Sequence, residues 1–547
     1  MLETPQPTER SSAEPSRSMM SCMGAVPTIR TVSCYREVML IDAEQLINYQ
    51  RCRRRAYLDV HGDLDQRDST SEYVLKLVQD SQANQRTVLS DQAIAQPNYP
   101  PRDWQAAAAA TLELMRQGVD RIHQGILLTE SEDGIILKSN PDLLVKHPGI
   151  SDFGDWLYVP TEIKLGKRPK LEYQVAVAFH AMVLAEVQGA WMETAWLTLR
   201  DRGDYSVDLW EVLPRMQEIL AECIQMLVQQ QEPEVFIARS RCSLCHWLSA
   251  CHAIAKNDYH LSLLPGVTPT RYVQLQALNL LTVKALAETK PSYLEPLPGF
   301  GKEAAHKLVR QAFSVMHDRA LIIEESLQPS GNDSLHRYLE LPIHAYHNFL
   351  AELLPTAPIE LYFDIEAEPT LNLIYLHGVV VVDRQANTQT FHALLAERPE
   401  DEVLVWHQLL ELFKRYPAAP IFHFCPFEVQ TVERLAKLYG TPHSHIKPLL
   451  ERFIDVHERI TRLVTLPVES YALKQIARWL GFDWRDPAAN GAQSICWYAQ
   501  WLSTGDRAHL DAILTYNEDD CLATHHIKEW LVGFLMKTIA EQAAELA

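Results

Sequence analysis

The strongest constraint on this chain is a group of cysteines that brackets a group of acidic residues. Cys242-Ser243-Leu244-Cys245 is followed after five residues by Cys251. A fourth candidate, Cys52, lies some 190 residues upstream in Arg51-Cys52-Arg53-Arg54-Arg55. Thiolates at C-x2-C spacing are strong metal ligands. Between the two groups stand Asn140-Pro141-Asp142 and Glu162-Ile163-Lys164. On a strand, Glu162 and Lys164 share one face because side chains alternate. Two carboxylates there can hold a divalent ion, and the lysine can orient an attacking water or offset phosphorane charge. An isolated E-x-K is most often a solvated strand edge. Nesting one pattern inside the other is far less expected by chance than finding either alone.

The nested motifs resemble those of RecB-like nucleases whose core is clasped by a four-cysteine iron–sulfur cluster, and the resemblance covers roughly residues 40–256. It implies a restriction-endonuclease-like core in which Cys52, Cys242, Cys245 and Cys251 bind a structural cluster of the 4Fe-4S type. It also implies that Asp142 and Glu162 bind Mg²⁺ or Mn²⁺, that Lys164 is catalytic, and that Tyr173-Gln174 form the motif after that lysine. Zinc is the competing ligand, although C-x2-C pairs usually serve zinc when a second close pair follows. Separate buried thiols are the third reading. Leu137–Val145 is expected as the strand delivering Asp142, Leu157–Leu165 as the strand carrying Glu162 and Lys164, and Lys170–Gly189 as an amphipathic helix. Arg51 to Arg55 around Cys52, and Lys167, Arg168 and Lys170, are expected as local positive patches for nucleic acid. The chain departs from the family at one point. Where these nucleases carry a metal-binding histidine on an early helix, Gln79–Gln85 offers Asn84 and Gln85, and His123 falls too late in the order.

Residues 257–326 read as a helix–hairpin–helix segment. In Leu297-Pro298-Gly299-Phe300-Gly301-Lys302 the glycines Gly299 and Gly301 allow backbone N–H groups to approach a phosphate at a helix N-terminus, with Lys302 beside them. Leu264-Pro265-Gly266-Val267-Thr268 is a weaker copy. A plain helical hairpin packed between domains is the alternative. Residues 327–357 include Gln328-Pro329-Ser330-Gly331-Asn332, a linker composition.

Beyond the linker, Ile359–Glu366 is an apolar strand with Asp364 and Glu366 on one face. Tyr375–Asp383 is expected to complete an opening hairpin. Tyr516 and Asp520 share a face of a helix expected from Tyr516 to about Trp530. Between them, Glu428 follows the strand and turn Ile421–Phe427, and Asp455 adds another carboxylate. The order D-x-E, Glu, Y-x3-D resembles the DEDD exonucleases of RNase H-like fold. Ser470–Ile476 and Leu480-Gly481-Phe482 resemble the RNase H-like domains often fused to RecB-like nucleases. The resemblance implies two metal ions held by Asp364, Glu366, Asp520 and either Glu428 or Asp455, with Glu428 favoured and Tyr516 catalytic. Glu428 stands where the family generally has aspartate.

A chain of 547 residues suffices for about three or four domains. Its net charge of −20 argues against a wholesale basic nucleic-acid binder but leaves room for local patches. No apolar run reaches the ~18 residues of a membrane span, and residues 1–38 lack the apolar core of a signal peptide. Ten cysteines, mostly scattered singly, suit a reducing cytoplasm better than a disulfide framework. There is no P-loop motif, so any helicase partner would be a separate chain. The expectation is a cytoplasmic, multidomain α/β protein. It comprises a disordered extension (1–38), a RecB-like nuclease domain (39–256), the helix–hairpin–helix segment (257–326), a linker (327–357) and an RNase H-like exonuclease domain (358–547). The expected activity is metal-dependent 3′–5′ cleavage of nucleic acid, DNA in preference to RNA, at single strands or free ends. The alternative is a catalytically impaired nucleic-acid-binding scaffold that retains both folds.

Overall fold

The computed structural model describes residues 39–90, 93–131, 134–323 and 352–545. The expected N-terminal extension and residues 327–351 of the expected linker lie outside these. Near the start, β1 (Leu40–Asp42), β3 (Leu127–Glu130) and β4 (Ile136–Ser139) form a three-stranded sheet in the order β1-β4-β3. A five-stranded sheet follows in the order β2-β5-β6-β7-β8, made of Arg121–His123, Leu143–Ser151, Gly154–Lys164, Thr194–Leu199 and Gly203–Asp208. Leu137–Val145 is therefore not one strand. Pro141 has no N–H to extend a ladder, so the chain leaves the first sheet after Ser139 and joins the second at Leu143. Asp142 is left at the junction.

In the larger sheet only β6 and β7 run parallel, and the helix Leu171–Gln188 makes the crossover that parallel strands require. This helix is apolar on nearly every face because it lies between the two sheets and the helices Ala43–Arg51 and Leu209–Val228. It stops at Gly189, whose φ of 62° is the left-handed cap that glycine adopts freely.

Four helices, Pro269–Ala277, Val283–Ala287, Pro291–Leu294 and Lys302–His317, close around Leu264, Leu275, Leu286, Leu294 and Leu308. This unit is tied to the C-terminal domain. β9 (Leu321–Ile322) pairs with β15 (Val464–Thr465), and Gln311 Nε2 donates to the Leu466 carbonyl at 2.6 Å.

The C-terminal sheet has the order β12-β11-β10-β13-β14: Thr388–Leu395, Leu373–Asp383, Ile359–Glu368, Ile421–His423 and Phe453–Asp455. The first three strands are antiparallel, and β13 and β14 run parallel to β10. Alternation sorts β10 into two faces. Leu361, Phe363 and Ile365 pack with Trp406, Phe413 and Leu435 on one side, and Tyr362 packs toward Ile527 and Leu531 on the other. Because both faces are covered, β11 is an almost unbroken apolar run. The final helix is Arg507–Glu545, so it begins nine residues before Tyr516 and outlasts the expected Trp530 end.

Candidate active site

The same alternation aims Asp364 and Glu366 at the face covered by the Arg507–Glu545 helix, which presents Asp520 to them. One carboxylate oxygen from each of the three lies within 4.8 Å of the others. Among the described residues no other group of His, Cys, Asp or Glu brings three ligand atoms so close. Burial first, and then Asp520, Glu366 and Glu428, push Asp364 well above the ordinary carboxylate range. Burial and Asp520 raise Glu366 to about 8. Burial raises Asp520 to about 6, opposed by hydrogen bonds from Tyr516 and Trp484 and by the charge of Lys474. Carboxylates that bind protons this firmly lack counter-charge, and a divalent cation would supply it.

A set of neutral donors fixes the carboxylates. Asn517 Nδ2 donates to Asp364 Oδ2 at 2.7 Å, and Trp484 Nε1 donates to Asp520 Oδ1 at 2.7 Å. Ser494 bonds Glu366 and lies 2.7 Å from the Tyr375 hydroxyl. Gly378 faces Asp364 across the β10–β11 ladder, and a Cβ there would overlap the Asn517 side chain. Of these residues, Asn517 was within reach of sequence reasoning, since it stands three before Asp520 on the same helical face. Trp484 and Ser494 carry no local signal, whereas Lys474 lies within the Ser470–Ile476 segment whose resemblance gave it no role.

Glu428, on the helix Phe427–Leu438, is buried on the Asp364 side of the cluster, but its Oε2 sits 3.4 Å from His423 Nδ1. Asp455 is a helix cap. Its Oδ1 accepts from the amides of His457 at 2.9 Å, Cys425 at 3.0 Å and Glu458 at 3.2 Å. Neither expected fourth ligand joins the close set of three. Asp455 stays away because its carboxylate satisfies backbone donors that a helix start leaves open.

Residues 361–532 match the family model of the RNase_H superfamily. The C-terminal domain is RNase H-like. A search of curated proteins gives no match to the chain. The matched span contains Asp364, Glu366, Glu428, Tyr516 and Asp520, and it points to a nuclease-type function on nucleic acid. RNase H-like domains generally use Mg²⁺ or Mn²⁺, and the three unneutralised carboxylates fit such an ion. No helix among the described residues is long and apolar enough to cross a membrane.

The N-terminal acidic group is compensated differently from the RNase H-like one. Asp142 Oδ2 accepts from the Ile163 amide at 2.6 Å and its Oδ1 from Gln85. Glu162 Oε1 lies 3.1 Å from His180 Nε2, its Oε2 pairs with Lys164, and His180 Nδ1 lies 2.9 Å from Ser139 Oγ. Burial favours the protonated form of both acids. In Asp142 burial wins, helped by Glu162, and raises it to about 7. In Glu162 the charges and hydrogen bonds of Lys164 and His180 outweigh burial and hold it near about 2. His180 was legible only as one polar position in an apolar helix. His123 sits on β2 opposite Leu143.

Tyr173 has its ring centroid 5.9 Å from Lys164 Nζ, whereas Gln174 turns back to the Pro169 carbonyl at 2.8 Å. Arg168 and Lys170 are exposed, and Lys167 pairs with Asp201 at 2.8 Å. The arginines around Cys52 do not form an open positive patch. Arg51 pairs with Glu172 at 2.7 Å, Arg53 with Glu222 at 2.6 Å, Arg54 with Glu232 at 2.6 Å and Arg55 with Asp59 at 3.6 Å.

Cys52 lies between two helices, capping Arg53–His61 through its Sγ. It comes beside Cys242, Cys245 and Cys251, close enough for its charge to act on each. Burial first, then neighbouring thiols, raise all three, with Cys245 at about 11. A lone zinc at ~2.3 Å from each sulfur would hold sulfurs about 3.8 Å apart. No three of these sulfurs lie within 4.8 Å of one another.

In the helical segment Gly299 and Gly301 have φ of 82° and 93°, and Gly301 starts Lys302–His317 with no side-chain cap. Arg271 joins the two similar turns, donating to the carbonyls of Gly266 and Gly299 at 2.7 Å each.

Proposed function

We propose that this protein is a metal-dependent nuclease whose working site is the Asp364, Glu366 and Asp520 cluster of the RNase H-like domain. It acts as a 3′–5′ exonuclease on DNA with single-stranded or free ends. The observation that carries this reading is the convergence of three carboxylates within 4.8 Å with too little counter-charge. Mg²⁺ or Mn²⁺ bound there would supply Lewis acidity toward a phosphodiester. The chain's own residues hold the geometry. Asn517 and Trp484 lock the orientations of Asp364 and Asp520, and the Tyr516 hydroxyl, bonded to Asp520, can orient the attacking water. Labelled single-stranded oligodeoxynucleotide should be shortened by the purified protein with Mn²⁺, and neither with chelator nor by the Asp364→Asn variant. Cleavage that survives in Asp364→Asn would reject the assignment.

Residues 39–256 fit a RecB-like core clasped by an iron–sulfur cluster on Cys52, Cys242, Cys245 and Cys251, a group larger than one ion and so consistent with the wide sulfur spacing. Anaerobically purified protein should then carry iron and sulfide with broad visible absorption, and Cys52→Ser should lose both. Zinc without chromophore would favour the competing ligand. Asp142, Glu162 and Lys164 would form a second, metal-dependent site in this domain, supported by their meeting at one sheet junction and by the raised Asp142. Lys164→Ala should lower any cleavage contributed by this domain and leave that of the RNase H-like site intact. The turns at Gly299 and Gly301, with Lys302, would contact the phosphate backbone without reading sequence.

A further inference from the structure

Lys474 enters the RNase H-like site from outside the acidic motifs. It is the second residue of the Leu473–Trp479 helix, and its ammonium lies over the ring faces of Trp484 and Tyr516, 5.0 Å from each centroid. Those two side chains are the ones that hydrogen-bond Asp520. The ammonium is close enough to Glu366 and Asp520 to favour the ionised form of both. Even so, it makes no ion pair of 4.0 Å or less with any carboxylate among the described residues. Its protein acceptor is the Ala489 carbonyl, and an ammonium has three donors.

The other lysines beside acidic groups behave differently. Lys164 is paired with Glu162, and the fully buried Lys528 lies 3.3 Å from Glu360 and 3.0 Å from Glu529. Lys474 is instead held by two aromatic walls at the edge of a carboxylate cluster, with donors to spare. Such walls attract a cation without neutralising it. We propose that Lys474 binds a non-bridging oxygen of the scissile phosphate, which makes it a catalytic residue of this site. A phosphodiester brings negative charge to a cluster that is already acidic, and charge builds further in the transition state. A fixed ammonium meets that charge from the Tyr516 side. The inference rests on the nuclease reading above.

The test uses full-length protein. Binding of a fluorescent single-stranded oligodeoxynucleotide to the Asp364→Asn protein is measured with Mn²⁺ across a series of KCl concentrations. Adding Lys474→Met should weaken binding and reduce the slope of log affinity against log salt by about 0.7, the signature of one lost phosphate contact on a single strand. Lys474→Arg should restore the slope. In otherwise wild-type protein, Lys474→Met should lower kcat by about 100-fold or more, while the Mn²⁺-induced rise in melting temperature is retained. Lys474→Gln serves in its place if the Met variant melts early. An unchanged salt slope in a protein that still cleaves overturns the contact alone. So does a lost Mn²⁺ response with the slope intact, because Lys474 would then be tuning the ion site. Wild-type protein that neither binds nor cleaves the strand overturns the nuclease reading, and this inference with it.

Discussion

At Asp364 a single side chain accepts from Asn517, faces two other carboxylates and lies opposite a glycine that leaves Asn517 its room. Removing its charge should have two opposite effects. Asp364→Asn preserves the shape but takes away one of the ligand oxygens, so cleavage should fall by at least about 100-fold. It also removes repulsion within the cluster wherever the cluster is ionised, so at pH 8 without divalent metal the variant should melt above the wild type. Its gain on adding Mn²⁺ should be smaller. Thermal unfolding in chelator and in Mn²⁺ checks both, and a variant that melts lower in chelator contradicts the repulsion argument.

The element that assembles the site is the Arg507–Glu545 helix. Two turns beyond Asp520 it inserts Lys528, fully buried, against the equally buried Glu360 of β10. Arg384 Nε at 2.8 Å, the Tyr362 hydroxyl at 2.7 Å and the Ala357 amide at 3.1 Å also donate to Glu360. These contacts fix the helix register on the strand, and hence the distance from Asp520 to Asp364. Breaking one partner of a buried pair strands the other's charge. Lys528→Met should therefore cost about 3–5 kcal/mol, read from denaturant unfolding. Adding Glu360→Gln should recover part of that loss. A single variant as stable as wild type would mean that Arg384 alone neutralises Glu360.

Across the whole molecule, the two domains that hold the acidic groups are joined by contacts of one helix, Glu72–Leu89. Its Gln85 reaches Asp142, while Lys76 lies 3.4 Å from Glu368 and Glu72 accepts from Gln493 at 2.7 Å in the RNase H-like domain. The groups should respond to pH in different ways. In the RNase H-like cluster the folded values are raised, with Asp520 at about 6 and Glu366 at about 8. The folded state therefore holds protons that the unfolded chain has released. Stability from these groups is complete below the unfolded values near ~4 and is lost as pH rises through 6 and 8. Metal-free protein should thus lose melting temperature between pH 5 and pH 8, and Mn²⁺ should raise it more at pH 8 than at pH 5. Equal gains at both would contradict the assignment of these carboxylates as the ion's ligands. In the N-terminal group the two acids oppose each other: Glu162, held at about 2, contributes stability that persists down to strongly acidic pH, whereas Asp142, raised to about 7, loses stability as pH rises, like the RNase H-like cluster.

What the sequence determined by itself was local. Residues two apart on an apolar strand share a face, so Asp364 with Glu366, and Glu162 with Lys164, could be placed together before any fold was known. The i, i+4 spacing did the same for Tyr516 and Asp520. Proline chemistry sufficed to break the strand at Pro141, and the polar Ser139, Asn140 and Asp142 around it point the same way. Tertiary structure decided which charges meet. Arg51, Arg53, Arg54 and Arg55 read as a positive patch until Glu172, Glu222, Glu232 and Asp59 came alongside them. Asp455, read as the less favoured candidate for a fourth ligand beside Glu428, has one carboxylate oxygen engaged as a helix cap. His180 and Lys474 reach their sites from separate elements that no spacing rule connects to the acidic motifs. Periodicity records which face a side chain occupies, whereas its partner, and so its charge, depends on segments brought together by packing cores assembled from distant parts of the chain.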